Sequence, residues 1–328
     1  MGNKIRIGIA GYGNLGKGVE AALGQSPDMK LVAVFTRREP ASLALQGCGV
    51  PAHPLDRVGE FTDAVDVMIL CGGSRSDLPE QGPMLARLFN TVDSFDTHAR
   101  IPEYFAAVDA AAERGRRVAL ISVGWDPGLF SIERLFGEAI LPRGATYTFW
   151  GKGLSQGHSD AVRRLPGVAG AVQYTIPSPA AIERARSGEQ PVLATREKHT
   201  RECYVVLADG ADAIGVERAI VDMPDYFADY DTTVRFISAT QLQRDHGAMP
   251  HGGFVIRSGH TGSGAAQTME FSLRLESNPE FTASVLVAYA RAAHRLARRG
   301  ETGARSVLDI APGLLSPKTP AQLRQELL

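Results

Sequence analysis

The sequence has few cysteines and no excess of charge of either sign, and each shortage excludes a class of protein. Cys48, Cys71 and Cys203 are its only cysteines in 328 residues, and no two of them form a CxxC pair. A disulfide framework or a structural zinc site is therefore not expected. Lys and Arg total 35 against 36 Asp and Glu, which gives a formal net charge of −1. This balance argues against nucleic acid or a membrane surface as a partner.

Long hydrophobic runs are also missing, although 44% of the residues are hydrophobic. No apolar run approaches the roughly 18 residues that a membrane helix needs. The opening residues, MGNKIRIGIAGYG, lead into a predicted strand rather than an apolar signal stretch. We therefore expect a soluble, cytoplasmic protein whose length suits about two domains.

The first 125 residues alternate short apolar strands with amphipathic helices. Strands are predicted at residues 4–10, 31–35, 65–71, 91–92 and 118–122, and helices at 14–23, 77–89 and 101–115. Such apolar, partly β-branched strands are typical of a parallel sheet covered on both faces. The order predicts an α/β fold with a Rossmann-type doubly wound sheet over residues 1–125.

The pattern changes after the sequence GWDPG. Asp126 is predicted to cap a helix that has Pro127 in its first turn. Alternating strands follow at 145–151, 171–176, 201–208, 232–238, 254–259 and 268–276, which predicts an α+β domain with a mixed sheet over residues 126–278. A long helix predicted at 278–300 is expected to bring the segment from about 279 to 328 back to the first domain.

A glycine-rich turn follows the first predicted strand. Gly11, Gly13 and Gly16 complete a GxGxxG pattern that opens a predicted helix. In that context the pattern indicates a dinucleotide, although it can also be an ordinary turn. Gly11 permits the turn, Gly13 lets the backbone approach the pyrophosphate, and Gly16 allows the helix to pack closely on the strand. The helix amino terminus would supply amides for the phosphates.

The second predicted strand ends in Thr36, Arg37 and Arg38, where an NAD-binding domain usually has an acidic residue. A hydroxyl and two guanidiniums suit the 2′-phosphate of NADP. One charge-assisted bond contributes about 1.5–3 kcal/mol, so the preference for NADP is about tenfold or more. The alternative is that both arginines are merely solvated. The sequence therefore favours NADP as the cofactor.

Longer motifs carry a resemblance to a known family. These are GYGNLGKGVE, SRSDLPEQGP, VDSFDTH, GWDPGLFSI, FWGKGLSQGHSDAVRRLPGV, MPDYF, MPHGG and NPEFTAS, and together they resemble meso-diaminopimelate dehydrogenases. The resemblance implies NADP-dependent oxidative deamination at the D-centre of meso-2,6-diaminopimelate, in lysine and cell-wall precursor biosynthesis. The products would be L-2-amino-6-oxopimelate, ammonia and NADPH. It also implies a homodimer in which residues 126–278 bind the substrate and form the dimer.

The reacting end of such a substrate needs carboxylates that hold its amine and move protons. Asp96 and Asp126 both follow predicted strands of the parallel sheet, and the resemblance implies that they contact the D-amino group. We predict that they are the catalytic residues. Asp93 is the nearest rival of Asp96, and Asp126 could be a helix cap only. Lys152 and His158 stay as alternative acid/base candidates.

The remaining substrate contacts rest mainly on the resemblance. It implies a carboxylate clamp at the distal end from Arg201, His251 and Thr175, since arginine offers a bidentate fork. The two tryptophans could wall off water or simply pack in the core. The complete predicted substrate set is Asp96, Asp126, Trp125, Trp150, Gln156, Gly157, Thr175, Arg201, His251 and Asn278.

Cofactor contacts are expected where the parallel strands end, because ligands bind at the carboxyl edge of open α/β sheets. Cys71 is expected to be a packed residue there, not a nucleophile. The predicted cofactor set is Gly11, Tyr12, Gly13, Asn14, Leu15, Gly16, Thr36, Arg37, Arg38, Cys71, Gly72, Gly73, Ser74, Ser94, Phe95, Asp96, Val123, Gly124, Trp125, Asp126 and Pro127. No metal is expected, because hydride transfer to a nicotinamide requires none.

Two other functions stay open from the residues alone. A sugar or polyol dehydrogenase would have a similar plan, but such enzymes usually carry an E-K-P motif that this sequence lacks. A non-catalytic NADP-sensing protein would keep the glycine turn and the arginines. It would not need Asp96, Asp126 and Arg201 together.

Overall fold

A computed structural model describes residues 4–47 and 49–328, so Cys48 lies outside the described residues. The chain divides into two compact units. The first extends to Ile132 and resumes with Pro279–Leu328, and the second comprises Glu133–Asn278. Within the described ranges, no helix has the length and apolarity needed to cross a membrane.

The first unit begins with strands and helices that alternate along the chain. They are β1 (Ile5–Ala10), α1 (Asn14–Gly24), β2 (Met29–Thr36), β3 (Ala52–Pro54), β4 (Val67–Leu70), α2 (Leu78–Ala86), β5 (Asn90–Asp93), α3 (Ile101–Gly115) and β6 (Val118–Leu120). The strands are nearly all buried, as expected for a sheet covered on both faces. Their apolar side chains contribute to two separate clusters of the core.

The second unit contains two separate sheets. Its elements, of which the first helix begins before the unit boundary, are α4 (Leu129–Ile140), β7 (Gly144–Trp150), β8 (Gly153–Leu154), α5 (Gln156–Arg163), β9 (Val168–Pro177), α6 (Pro179–Arg186), α7 (Thr195–Lys198), β10 (His199–Leu207), α8 (Ala213–Val221), β11 (Asp231–Phe236), α9 (Ala239–His246), β12 (His251–His260) and β13 (Ala266–Leu275). One sheet is mixed, with the order β11-β10-β9-β8 and a parallel β10–β11 pair. The other is antiparallel, with the order β13-β12-β7.

The chain end completes the first unit. It forms α10 (Asn278–Arg298), β14 (Gly303–Arg305) and α11 (Pro320–Leu327). β14 becomes an edge strand, so the sheet has the order β14-β6-β5-β4-β1-β2-β3 with parallel pairs throughout. α10 packs against α1 at Gly18, where an added Cβ would lie 2.9 Å from that of Ala283. A glycine is therefore needed for this close approach.

The predicted fold class is confirmed, and the structure corrects several details. Strands β3 and β14 were not predicted, since each has three residues and no clear periodicity. The predicted cap at Asp126 is wrong, because the helix begins at Leu129. Gly128 stands before it, and its amide donates to the Ser131 hydroxyl at 3.1 Å.

Helix α5 begins with three residues singled out in the sequence. Gln156, Gly157 and His158 form its first turn. The residue before them, Ser155, bonds the His158 ring at 2.8 Å instead of capping the helix with its side chain. Side-chain pairing within the turn therefore replaces the usual cap.

Candidate active site

The glycine turn has the geometry that a dinucleotide needs. Gly11 has a φ of +95°, in the region that favours glycine. A Cβ on Gly16 would lie 2.4 Å from the Gly11 carbonyl oxygen, so α1 packs tightly on the turn. A Cβ on Gly13 would have nothing within 4 Å, which leaves the backbone open to a ligand. The three glycines thus fit the roles expected for a pyrophosphate.

Arg38 is fixed against the glycine turn. Its guanidinium donates to the Tyr12 carbonyl oxygen, and its amide donates to the Thr36 hydroxyl at 3.0 Å. Thr36 itself is buried at the end of β2. These bonds place a cation and a hydroxyl beside the turn.

Arg37 is held by the segment that follows β4, which is separated from β2 by β1 in the sheet. Its guanidinium lies 2.8 Å from a carboxylate oxygen of Asp77, although its side chain is 66% exposed. The other oxygen of Asp77 accepts the Gly73 amide at 2.8 Å. The predicted cofactor residues after β2 and β4 are therefore joined through Asp77, which was not predicted.

The segment after β5 carries one of the two predicted catalytic aspartates. Asp96 is exposed, and its amide donates to the Ser74 hydroxyl at 2.9 Å. That hydroxyl is 3.2 Å from the hydroxyl of Thr97, so the segments after β4 and β5 are held together. Asp93, the rival candidate, is 1% exposed and accepts a bond from Tyr104 at 2.7 Å. Asp96 is therefore the better placed of the two to meet a ligand.

The segment after β6 forms a tight turn. Trp125 and Gly128 form a β-bridge around Asp126 and Pro127, and a Cβ on Gly128 would lie 1.7 Å from the Gly124 carbonyl oxygen. The Trp125 ring is buried edge-to-face against Phe130, with centroids 5.2 Å apart. The indole thus packs in the first unit, while Asp126 is half-buried. Trp125 therefore has a packing role in addition to any ligand contact.

Cys71 lies at the end of β4, beside two other predicted cofactor residues. Burial raises the pKa of its thiol, so the group stays protonated. The expectation of a packed residue rather than a nucleophile agrees with this environment. A Cβ on Gly72 or Gly73 would lie within 3 Å of Asp77 or Ser76, so both glycines let the chain pass close to α2.

A buried arginine lies in the mixed sheet of the second unit. Arg201 on β10 and Thr175 on β9 face each other in antiparallel register, and the guanidinium donates to the threonine hydroxyl. Arg201 is 6% exposed, and its guanidinium lies 3.8 Å from the ring centroid of Tyr230. Its Nε has no hydrogen-bond partner in the part of the chain that the structure describes. Burial lowers its pKa, and no carboxylate within the described ranges forms an ion pair with it.

Two imidazoles near Arg201 are kept neutral. Burial, assisted by the Arg201 charge, lowers the pKa of His199 to about 3 and that of His158 to about 4. His199 accepts the Trp150 amide at 2.8 Å, and the two rings stack with centroids 5.3 Å apart. A buried, neutral imidazole therefore supports Trp150. His158 is bonded to Ser155, so its role as an alternative acid or base is disfavoured at neutral pH.

The segment before β12 brings three other predicted residues together in the second unit. The Gln156 side chain donates to the Met249 sulfur at 3.3 Å. The backbone amide of Asn278 donates to the Met249 carbonyl oxygen at 2.9 Å. His251 follows two residues later, and Gly153 has no room for a Cβ beside its ring. Gln156, His251 and Asn278 therefore share one neighbourhood.

Lys152, an alternative acid/base candidate, lies in the loop between β7 and β8. It is exposed, and its ammonium lies 5.7 Å from the ring centroid of Tyr174. Gly153 pairs with Thr175 across the sheet, which links the His251 neighbourhood to the Thr175–Arg201 pair. The geometry thus brings together the predicted clamp residues Thr175, Arg201 and His251.

Sequence reasoning missed Tyr230, His199 and Asp77. His199 could have been found, because it alternates with Arg201 and Cys203 on the buried side of one strand. Tyr230 gave no such signal, since it lies in a loop and meets Arg201 only through the fold. Asp77 could be recognised only from the fold, which places the ends of β2 and β4 on either side of β1 at the same edge of the sheet.

The fold and these residues define a dinucleotide-dependent dehydrogenase that has a second compact unit. The model of the diaminopimelic acid dehydrogenase C-terminal domain matches residues 124–277. The chain is 64% identical to a meso-diaminopimelate D-dehydrogenase of Ureibacillus thermosphaericus over 326 residues, covering 99% of this chain and 100% of that protein. The chain belongs to the meso-diaminopimelate dehydrogenase family, as the sequence motifs predicted.

Two solved structures show the same fold. A meso-DAPDH variant of Clostridium tetani E88 with DAP has a TM-score of 0.94 and 56% identity, covering 99% of this chain and 100% of that one. An engineered D-amino acid dehydrogenase bound to NADP+ has a TM-score of 0.89 and 45% identity, with the same coverage. The two-unit architecture is thus shared over the whole chain.

Proposed function

We propose that this chain catalyses the reversible, NADP-dependent oxidative deamination of meso-2,6-diaminopimelate at its D-centre. The products are L-2-amino-6-oxopimelate, ammonia and NADPH, and the reaction serves lysine and cell-wall precursor biosynthesis. The single observation that carries the proposal is Arg201. This buried guanidinium has no carboxylate partner and keeps an unsatisfied Nε among the described residues, so an anion is expected to offset its desolvation. The distal carboxylate of the substrate is that anion.

The other clamp residues are supported by the Clostridium tetani variant. Its six substitutions replace one each of Gln, Thr, Arg, Pro, His and Asn. At a constant offset of two positions, this chain has the same six residue types, at Gln156, Thr175, Arg201, Pro250, His251 and Asn278. Five of these positions are predicted substrate residues. We propose that they line the substrate pocket, with Arg201, His251 and Thr175 at the distal carboxylate and Asn278 at the distal amine.

The cofactor fits the first unit. The open backbone at Gly13 and the tight Gly11–Gly16 packing suit a pyrophosphate, and Arg38 beside Thr36 suits the 2′-phosphate. The family relative bound to NADP+ supports this assignment. When bound, NADP accepts the α-hydrogen of the D-centre as a hydride. Arg37 adds a second cation, and its ion pair with Asp77 orients the guanidinium.

The two aspartates act on the reacting amine. Asp96 and Asp126 hold the D-ammonium, and one of them accepts a proton before the C–H bond breaks. The negative charge of the aspartate that stays ionised then stabilises the iminium carbon–nitrogen bond that forms on the substrate. Water adds to the iminium carbon, and ammonia leaves as the ketone forms. The glycine-closed turn at residues 124–128 keeps Asp126 in one position.

The two alternatives explain less of the molecule. A sugar or polyol carries no charge that would offset the buried cation of Arg201. A protein that only senses NADP has no use for Arg201 or for the His251 neighbourhood. Neither alternative is favoured by an observation of its own.

A homodimer and a cytoplasmic location stay as part of the proposal. The second unit exposes Leu135, Phe136 and Ile140 on α4, at 44%, 44% and 61% of their surface. Three large apolar side chains on one helix are a surface that a second copy of the chain would cover. Light scattering of the wild type and of Ile140→Asp tests this assembly. A monomeric wild type would contradict it.

The experiment that tests the reaction is NADPH formation followed by absorbance. The purified protein is mixed with NADP and meso-diaminopimelate, and ammonia release is measured in parallel. The L,L isomer is the matched control, because it lacks a D-centre. Equal amounts of NADPH and ammonia from the meso compound alone would support the proposal, whereas no NADPH would overturn it.

A further inference from the structure

Strand β5 carries one polar bridge at each end. At its start, Asn90 donates to the Asp66 carbonyl oxygen at 2.8 Å and accepts the Val118 amide at 3.0 Å. Asn90 therefore ties β5 to the beginning of β6 and to the turn before β4. This bridge lies at the edge of the sheet opposite to the carboxyl ends of the strands.

The bridge at the other end is Asp93. One of its carboxylate oxygens accepts the amides of Phe95 and Ser122, at 2.9 and 3.2 Å. The other accepts the Tyr104 hydroxyl at 2.7 Å. The Asp93 carbonyl oxygen also accepts the Val123 amide at 2.8 Å. A single buried residue thus joins the β5 loop (residues 94–97) to the β6 loop (residues 121–128).

These two loops carry the proposed catalytic pair. Asp96 follows the bonded Phe95 directly, and Asp126 follows Val123 by three residues. We propose that Asp93 is a positioning residue that sets the spacing of Asp96 and Asp126 by holding both of their loops. This inference rests on the proposed function, since it assigns Asp93 to the same reaction. Asp93 itself does not meet the substrate, because it is 1% exposed.

The surroundings of Asp93 keep it an acceptor. Its three hydrogen-bond donors favour the ionised form, although burial raises its pKa to about 6. Burial and the neighbouring carboxylate raise the pKa of Tyr104, so this hydroxyl stays a donor. The Tyr104 ring stacks on Phe95 with centroids 4.0 Å apart, and Gly82 leaves room for its hydroxyl. Two of the three donors to the carboxylate, Tyr104 and Phe95, are therefore fixed against each other.

The experiment compares the two ends of the strand. Asp93→Ala removes the bridge between the loops, Asp93→Asn keeps an oxygen for the two amides, and Asn90→Ala removes the matched bridge at the opposite edge. Each variant is measured for kcat, for NADPH affinity, for melting temperature and for hydrogen exchange of the two loops. Tyr104→Phe, which removes one donor only, is included because Asp93→Ala could fail to fold.

The expected pattern separates positioning from stability. Misplacement of a reacting group by about 1 Å costs about 100-fold, so Asp93→Ala is expected to lower kcat by roughly that factor. NADPH affinity is expected to change less than kcat, because Asp93 does not hold the glycine turn and Arg38, which are proposed to bind the phosphates. In Asp93→Ala, hydrogen exchange becomes faster in both loops. Asp93→Asn restores kcat and the protection of the loop amides from exchange. Asn90→Ala lowers the melting temperature but leaves kcat and the loops unchanged, and Tyr104→Phe gives a smaller loss of kcat than Asp93→Ala.

Three results would overturn the inference. One is wild-type kcat in Asp93→Ala or, if that variant does not fold, in Tyr104→Phe. Another is an equal loss of kcat in Asn90→Ala, and the last is unchanged exchange in either loop when Asp93 is replaced. Failure of the proposed function is a separate result, because it appears as an inactive wild type. The exchange measurement then decides alone whether Asp93 holds the loops.

Discussion

Two buried arginines of the second unit differ in what surrounds them. Arg257 is 6% exposed and donates to the carbonyl oxygens of Leu141 and Pro142 and to the Thr146 hydroxyl, the last at 2.9 Å. Arg201 is equally buried, but it donates to the Thr175 hydroxyl and leaves its Nε without a partner among the described residues. Protein groups satisfy the first arginine. The second is left with donors for a ligand.

A third buried arginine, in the first unit, also has protein acceptors for its donors. Arg291 is 4% exposed, and its guanidinium lies 2.6 Å from a carboxylate oxygen of Asp28 and also donates to the Leu315 carbonyl oxygen. The fold therefore provides acceptors where an arginine has a structural role. The contrast teaches that an unsatisfied buried cation marks a binding site more clearly than burial or charge alone.

The largest expected effect comes from removing the unsatisfied arginine. Arg201→Met is expected to raise the KM for meso-diaminopimelate by about 100-fold or more, because a bidentate pair of charge-assisted bonds is lost. NADPH affinity stays at the wild-type value, since Arg201 belongs to the second unit. Steady-state kinetics with each substrate varied in turn measures both quantities. An equal loss for NADPH would break the comparison.

The satisfied arginine is the matched control and gives the opposite result. Arg257→Met leaves buried carbonyl oxygens without donors, so the free energy of unfolding is expected to fall by about 1–3 kcal/mol. The KM values stay unchanged. Urea unfolding followed by circular dichroism checks the stability. A variant that kept wild-type stability but lost substrate affinity would contradict the structural role of Arg257.

The cofactor arginines are expected to have an intermediate effect. Arg37→Ala combined with Arg38→Ala should raise the KM for NADPH by about tenfold to 100-fold, while the KM for NADH changes little. The wide range reflects the exposure of Arg37 and its existing bond to Asp77. Kinetics with both nucleotides tests this. Equal losses for NADPH and NADH would remove the argument for the 2′-phosphate.

The smallest expected effect is a change in the pKa values of the two imidazoles near Arg201. The Arg201 charge helps to lower the pKa of His199 to about 3 and of His158 to about 4, so both pKa values should rise in Arg201→Met. NMR titration of the ring protons follows them. Because unfolded histidine binds protons below its ordinary pKa, wild-type stability falls as pH falls from about 6.5 towards 4. Arg201→Met should weaken this dependence, and Arg257→Met should leave it unchanged.

Much of this molecule could be predicted from local patterns. The glycine turn, the strand that ends in Thr36 and the aspartates after β5 and β6 all follow from residue spacing and strand order. Helix α3 begins and ends where the sequence predicted it. These features depend on neighbours within a few residues of the chain.

The features that were missed depend on residues far apart in the chain. Strand β14 pairs with β6 across more than 180 residues, so no local signal marks it. Asp126 looked like a helix cap because Pro127 follows it, yet the positive φ of Gly128 closes a turn there first. The contact between the Tyr230 ring and Arg201 is formed only in the folded chain, so the sequence does not indicate it. Satisfaction of buried donors likewise cannot be read from a sequence.

The most direct test of the central claim is a set of melting curves with and without meso-diaminopimelate in the presence of NADPH. A ligand at about 100 times its Kd stabilises a protein by about 2.7 kcal/mol. We predict that Arg201→Met melts at or above the wild-type temperature without the substrate. Adding the substrate should leave the melting temperature of Arg201→Met unchanged but raise that of the wild type. If Arg201→Met were less stable without substrate, as predicted for Arg257→Met, and still gained the full wild-type shift, Arg201 would be a structural arginine and the account would be wrong.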